Sequence, residues 1–144
     1  MTGVSGMFGR AVLTLILILL FAGHNEAAQG AGDGAFYSEG QAGRGEQLYQ
    51  QYCMSCHGGR LQGNPAAPLA GTVFLSRWAD GQHTLDDLLY IMRTQMPYNA
   101  PASLTRQQYA DVLAYVLKAN GYPAGEAELV PSAAVLKHIT LQPR

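Results

Sequence analysis

The sequence predicts an all-α fold with three main helices joined by long loops. Three segments of the 144-residue chain place apolar side chains at helical spacing, and no segment alternates apolar and polar residues as a half-buried strand does. Between the first two of these segments, the 26 residues from Gly58 to His83 are rich in glycine, alanine and proline and lack clear periodicity. So long a loop is unusual in a compact domain, so we expect an additional apolar surface on which it packs.

The first two predicted helices are amphipathic, each with one apolar stripe. In the first, Ser38 and Gln41 have the spacing of an N-terminal cap. Its stripe consists of Gly45, Leu48, Tyr49 and Tyr52. The second begins near Thr84, with Asp87 at the offset of a capping box. Its stripe consists of Leu85, Leu88, Leu89 and Met92.

The third predicted helix has signals at both ends. Thr105 and Gln108 have the spacing of a capping box. Gly121 and Pro123 follow the last apolar position, as a terminating glycine and proline do. The buried stripe between these ends consists of Tyr109, Val112, Leu113 and Val116.

Two cysteines and a histidine form the run Cys53-Met54-Ser55-Cys56-His57, and the chain has no other cysteine. Residues three apart on a helical turn face the same way, so both sulfurs can bond to the vinyl groups of one haem. The spacing indicates covalent attachment of one haem c, with His57 as the proximal ligand and the long loop packed on the ring. A redox dithiol would be expected after a strand, and a zinc site would need two further ligands.

The N-terminus has the pattern of an export signal. Arg10 precedes the apolar run at residues 11–22, which suits a signal peptide and is shorter than the roughly 20 residues of a membrane-spanning helix. Small residues place cleavage near Ala28 or Gly30, and an uncleaved N-terminal anchor is the alternative. We therefore expect a periplasmic protein without stable membrane insertion after cleavage. Export suits haem c, which in bacteria is attached outside the cytoplasm.

The chain divides into a predicted signal peptide at 1–30, a linker at 31–37, one haem-binding domain at 38–123 and a C-terminal tail at 124–144. Removing the signal takes away one of nine basic and one of ten acidic side chains, so the net charge stays at −1. That charge argues against a nucleic-acid partner, which favours a basic patch. We expect the tail to wrap the domain or to be partly disordered, with a partner-binding segment as the alternative.

The second axial position of the iron needs a ligand from elsewhere in the chain, and Met96 is the preferred candidate. Pro97 follows it directly and disfavours helical backbone at Met96, on a turn between two helices. Met92 lies on the stripe of the second helix, where core packing explains it. Three further candidates lie in less suitable places. Met54 lies between the anchoring cysteines, His83 precedes the second helix, and His138 lies in the tail.

Together these features resemble the class I c-type cytochromes over about residues 38–122: a helix that runs into C-x-x-C-H, a distal Met-Pro and a C-terminal helix with an aromatic residue. The resemblance implies a cytochrome c-like fold around one covalently bound haem. In that family the terminal helices cross where a glycine packs against an aromatic side chain, and Gly45 and Tyr115 match those positions. A His/Met haem has no vacant position for substrate, which implies an electron-transfer protein rather than an enzyme.

The resemblance implies further residues around the haem. In the family, a proline carbonyl after the motif holds the proximal imidazole; Pro68 is the preferred equivalent and Pro65 the alternative. Such a partner on Nδ1 sets the tautomer that leaves Nε2 for the iron. Trp78 and, less strongly, Arg77 match donors to a haem propionate. The alternatives are a Trp78 that belongs to the core and an Arg77 that is solvated.

Four stretches look more narrowly like the small haem c domains associated with periplasmic quinoprotein dehydrogenases: residues 64–71, 74–78, 96–97 and 115–121. This similarity implies a redox partner protein, with a quinoprotein dehydrogenase as donor and a terminal oxidase or another cytochrome as acceptor. The predicted function is a periplasmic one-electron carrier that serves a dehydrogenase or a respiratory chain. The alternative is a haem c protein whose open distal site binds or activates a small ligand, with His83 as its acid–base group.

Overall fold

The computed structural model describes residues 35–143, and this part of the chain is helical. Its helices are α1 (Glu39–Tyr52), α2 (Met54–His57), α3 (Thr72–Trp78), α4 (Leu85–Gln95), α5 (Arg106–Ala119) and α6 (Ala133–Leu136). Within residues 35–143, β-type pairing is confined to two isolated bridges. The predicted signal peptide lies outside the described residues. Between residues 35 and 143 no helix combines the length and apolarity needed to cross a bilayer.

The three predicted helices correspond to α1, α4 and α5, and each begins at its predicted cap. The Ser38 hydroxyl accepts a hydrogen bond from the Gln41 backbone N–H at 3.1 Å. In a capping box, the cap side chain and the side chain three residues on each bond the other residue's backbone N–H. Both reciprocal bonds are present at the start of α4 and of α5, where the pairs are Thr84 with Asp87 and Thr105 with Gln108. Local sequence therefore determines where these helices start.

Helices α1 and α5 touch at Gly45. A methyl group at this position would overlap the carbonyl oxygen of Asp111, so only glycine allows the two backbones to come this close. One turn further along, the rings of Tyr49 and Tyr115 pack with their centroids 5.3 Å apart. The predicted crossing at Gly45 is present, but the atoms nearest to it are backbone atoms of α5 rather than the Tyr115 ring. A ring is too large for a gap that excludes a methyl group.

A hydrogen-bond network with a buried centre and an exposed rim joins α1 and α5 to the tail. We call it the polar clamp; it is formed by Gln41, Arg44, Asp111, Glu128 and Leu129. Asp111 accepts from the Gln41 amide at 3.2 Å and from two guanidinium nitrogens of Arg44 at 3.1 Å each. Arg44 also donates to Glu128 at 2.9 Å, and the bonds to both carboxylates raise its pKa, so the guanidinium stays charged. The Gln41 amide exchanges two further bonds with the Leu129 backbone. Every buried polar group of the clamp is therefore satisfied.

Residues 124–143 wrap around the domain. The Ile139 carbonyl accepts a hydrogen bond from the Leu85 N–H at 2.8 Å, which ties the tail to the first residue of α4. Three tail leucines are buried in the core: Leu129, Leu136 and Leu141. Before α1, Tyr37 is also in the core, with only 1% of its surface exposed. The folded unit is therefore larger than the predicted domain at 38–123, because chain on both sides of it contributes buried side chains.

The stretch from Gly58 to His83 contains α3, so the prediction that it lacks secondary structure is wrong for residues 72–78. This helix begins at Gly71 without a side-chain cap, and it is only seven residues long. The sequence therefore has no capping pattern at this helix and too few residues for a repeated apolar period, so the helix could not be predicted. Phe74 and Trp78, one turn apart, are its buried residues.

Candidate functional site

Cys53, Cys56 and His57 lie on one turn, where α1 ends and α2 begins. The Cys53 carbonyl accepts from the backbone N–H of Cys56 at 3.1 Å and of His57 at 2.9 Å. The two cysteines form no disulfide; Cys53 is partly buried and Cys56 is exposed. Residues three apart on such a turn lie on the same side. The turn therefore has the arrangement that two thioether bonds to one haem require.

The pKa of the Cys53 thiol argues against a redox use of the C-x-x-C pair. Burial, reinforced by the neighbouring Cys56, raises the pKa of the Cys53 thiol to about 11. A redox dithiol needs the opposite, a lowered pKa that makes the thiolate available at neutral pH. Between residues 35 and 143 no group of three or more histidine, cysteine or acidic side chains is placed to hold a metal ion.

His57 is buried, and its ring is oriented by a backbone carbonyl. Nδ1 lies 2.8 Å from the Ala67 carbonyl oxygen. A carbonyl only accepts, so Nδ1 carries the proton and the lone pair of Nε2 is left for a metal. The predictions of Pro68 and of Pro65 as the carbonyl partner are wrong. Pro68 directly follows Ala67, and a proline restricts the residue before it to extended backbone. Pro68 therefore influences the backbone of the residue whose carbonyl meets His57.

The loop that brings Ala67 to the histidine is held by hydrogen bonds to the motif. The Tyr49 hydroxyl donates to the Gly58 carbonyl at 2.6 Å, and burial raises the pKa of Tyr49 to about 12, so the phenol remains a donor. Gly63 donates to the His57 carbonyl at 2.8 Å, with a left-handed φ of +83° that suits glycine. The hydroxyl of Tyr49 was not predicted as a functional group, because an aromatic stripe position is explained by packing alone.

Asn120 fastens the far end of this loop to α5. Its side-chain nitrogen donates to the carbonyls of Leu69 at 2.9 Å and Val116 at 2.8 Å, and its oxygen accepts from the Gly71 N–H at 3.0 Å. Sequence analysis did not single it out. Asn120 directly precedes Gly121, which ends the helix. In the sequence, an asparagine at this place indicates only a helix end and does not indicate a contact with a distant loop.

Met96 ends α4 with φ −125° and ψ 152°, the extended backbone expected before Pro97. Its side chain is only partly buried, and its carbonyl accepts from the Tyr109 hydroxyl at 2.7 Å. Met92, one turn earlier, packs against the hydrophobic core. Two thiols and an imidazole with a free Nε2 on one turn fit the attachment and proximal ligation of haem c, and a methionine sulfur is a donor of the kind that completes such a site.

The remaining candidates lie in and after α3. Trp78 is buried in the core, its ring lies edge-on to His83 at 5.2 Å, and the Arg77 guanidinium lies over it at 5.3 Å. His83 Nδ1 is 2.8 Å from a carboxylate oxygen of Asp80. The backbone N–H groups of His83 and Gln82 lower the pKa of Asp80 to about 2, so this carboxylate is charged. His83 therefore belongs to a surface turn, in contact with Asp80 and Trp78.

Comparison with known proteins identifies the family of the chain. The family described as "Cytochrome C oxidase, cbb3-type, subunit III" matches residues 40–116, more than half of the chain. Cytochrome c-551 from Bacillus subtilis (strain 168) is 41% identical over 49 residues, which cover 34% of this chain and less than half, 44%, of that protein. The crystal structure of the sulfane dehydrogenase SoxCD from Paracoccus pantotrophus aligns with 74% of this chain and 62% of that chain, at 20% identity and a TM-score of 0.47. The family match confirms the all-α cytochrome c-like fold and haem c as the cofactor.

Proposed function

We propose that this chain, which belongs to the c-type cytochrome family described as cytochrome c oxidase, cbb3-type, subunit III, is an exported carrier of single electrons. Family membership makes it a haem c protein of the electron-transfer class rather than an enzyme. Once bound, haem c supplies an iron that alternates between the ferric and ferrous states. The residues of the chain attach this group, ligate it and shield it from water.

The observation that carries the proposal is the bond between His57 Nδ1 and the Ala67 carbonyl. It leaves Nε2 free on the turn that also carries Cys53 and Cys56. We assign the thioether bonds to the two cysteines and the proximal iron bond to His57. Pro68 contributes indirectly, because it restricts the backbone of Ala67.

Met96 is the proposed second axial ligand. Its support is an extended backbone at the end of α4, a carbonyl anchored on α5 and a side chain that is not needed to fill the core. Methionine ligation stabilises the ferrous form and raises the reduction potential. A closed His/Met centre suits electron transfer, because neither axial position is left for a substrate.

Trp78 and Arg77 are the proposed donors to a haem propionate. Both carry N–H groups, and the contact of the guanidinium with the indole ring holds the two side chains together. The burial of Trp78 is also what a purely structural role would produce. The propionate role therefore depends on the family resemblance together with this contact.

Export and partners are proposed from the sequence. The signal pattern at 1–30 supports a periplasmic carrier without stable membrane insertion. The stretches similar to haem domains of quinoprotein dehydrogenases support such an enzyme as the donor. The family description, which names an oxidase subunit, supports a terminal oxidase as the acceptor, with another cytochrome as the alternative. An open distal site that binds a small ligand is less well supported, because its acid–base candidate His83 lies on a surface turn with 46% of its side chain exposed.

The test is the absorption spectrum of the protein expressed with the haem c maturation machinery. We expect a pyridine haemochrome of the c type and, in the oxidised protein, the weak far-red band that methionine–iron ligation produces. Met96→Ala should abolish this band completely. Met92→Ala, on the preceding turn of the same helix, is the matched control and should keep it. A colourless, thiol-reactive protein would contradict the haem assignment, and a band that survives Met96→Ala would contradict the ligand assignment.

A further inference from the structure

The hydroxyl of Tyr109 has a contact that the apolar stripe of α5 does not require. The residue is 3% exposed, and its ring lies in the core, where phenylalanine would bury the same ring. A buried hydroxyl without a partner is unfavourable, so the choice of tyrosine implies that the hydrogen bond matters. The partner of that hydroxyl is the Met96 carbonyl, 2.7 Å away.

This bond connects the first turn of α5 to Met96, the residue that directly follows and caps α4. The carbonyls in the last turn of a helix have no partner within the helix, and the one at Met96 is satisfied from outside. The loop between the two helices is closed only by its own short turns, such as the bond from Ala100 N–H to the Pro97 carbonyl at 2.9 Å. The Met96 N–H is bound to the Met92 carbonyl at 3.1 Å, and on the carbonyl side the bond from Tyr109 ties the Met96 backbone to the core.

We propose that Tyr109 is a positioning residue for Met96, which holds the methionine where its sulfur can stay on the iron. The inference rests on the proposed ligation by Met96 and extends it to a residue outside the haem motif. The hydrogen bond of Tyr109 is to the backbone carbonyl of Met96, so its effect on the Met96 sulfur is indirect. Loss of its hydroxyl should favour the state in which Met96 has left the iron, while the core around the ring remains filled.

The test compares how readily imidazole displaces the axial methionine from the oxidised holoprotein. In Tyr109→Phe the apparent affinity for imidazole should rise about threefold to tenfold, the loss expected for one hydrogen bond. The far-red band should disappear at correspondingly lower imidazole concentrations. Tyr122→Phe is the matched control, because its hydroxyl donates to the Gln142 carbonyl at the same 2.7 Å in the tail. It should leave the imidazole affinity unchanged.

Unchanged imidazole affinity in Tyr109→Phe, or an equal increase in Tyr122→Phe, would overturn the positioning role. Tyr109→Leu also lacks the hydroxyl and replaces Tyr109→Phe if the latter gives no holoprotein. Met96→Ala separates this inference from the ligand assignment. If Met96→Ala loses the band and Tyr109→Phe behaves as the wild type, Met96 is the ligand and only the inference fails. If Met96→Ala keeps the band, the ligand assignment itself fails.

Discussion

The proximal turn (residues 53–58 with Ala67) and the polar clamp use the same kinds of hydrogen bond over very different distances along the chain. In the proximal turn the two side-chain bonds to carbonyls span nine and ten residues. In the clamp the bonds to Leu129 and Asp111 span 88 and 67 residues. Short-range bonds shape the site locally, whereas long-range bonds hold helices and tail together. Changes in the first region should therefore alter the haem, and changes in the second should alter stability.

The largest effect is expected beside the clamp, where α1 and α5 touch. Gly45→Ala places a methyl group on the Asp111 carbonyl, so the helices must separate. We expect the free energy of unfolding of the holoprotein to fall by about 3 kcal/mol, measured by guanidinium denaturation. Gly43→Ala is the control, because a methyl group there meets nothing, and helix propensity should stabilise it by up to about 1 kcal/mol. Equal effects of the two variants would contradict the close contact.

The next effect concerns the charge at the centre of the clamp. Asp111→Asn keeps the shape but puts an amide against the Arg44 guanidinium, at a buried position whose arginine partner is about half exposed. We expect a loss of about 2 kcal/mol in the free energy of unfolding and an unchanged far-red band. Glu128→Gln removes the other carboxylate of the same arginine, but at an exposed position, where the effect should be within about 1 kcal/mol. A spectral change in Asp111→Asn would break the separation between the two regions.

The smallest effect gives the most direct comparison. Tyr49→Phe and Tyr37→Phe each remove a 2.6 Å bond from a tyrosine hydroxyl to a carbonyl, of Gly58 in the first case and Tyr122 in the second. Each should lower the free energy of unfolding by about 1 kcal/mol. Only Tyr49→Phe should also shift the reduction potential, because the Gly58 carbonyl begins the loop that reaches the proximal histidine. Equal shifts of the potential, measured by redox titration, would show that chain distance does not separate the two roles.

Sequence analysis succeeded where a signal and its structural consequence lie within a few residues. The reciprocal caps of Thr84 with Asp87 and of Thr105 with Gln108 follow from spacing, because both partners belong to the same helical turn. The extended backbone of Met96 follows from Pro97 for the same reason. Gly45 was also located correctly, although its contact is with the backbone of α5 and not with a ring.

The failures occurred where a partner is chosen by the path of a loop. The carbonyl that meets His57 belongs to Ala67 and not to Pro68, because the loop folds back on the motif and no spacing rule specifies how far. Helix α3 was missed because it has no cap and too few residues for a periodic pattern. The roles of Asn120 and of the Tyr109 hydroxyl depend on which carbonyls the folded chain brings to them.

By itself, the sequence determined the turn that carries Cys53, Cys56 and His57, the three main helices and their caps, because each depends on residues that are neighbours along the chain. Only the tertiary structure decided that the Ala67 carbonyl meets the histidine, that the Tyr109 hydroxyl meets the Met96 carbonyl and that the tail closes the polar clamp. Those contacts join residues between 10 and 88 positions apart. Which of many possible partners meets a side chain over such distances is settled by the packing of the whole domain.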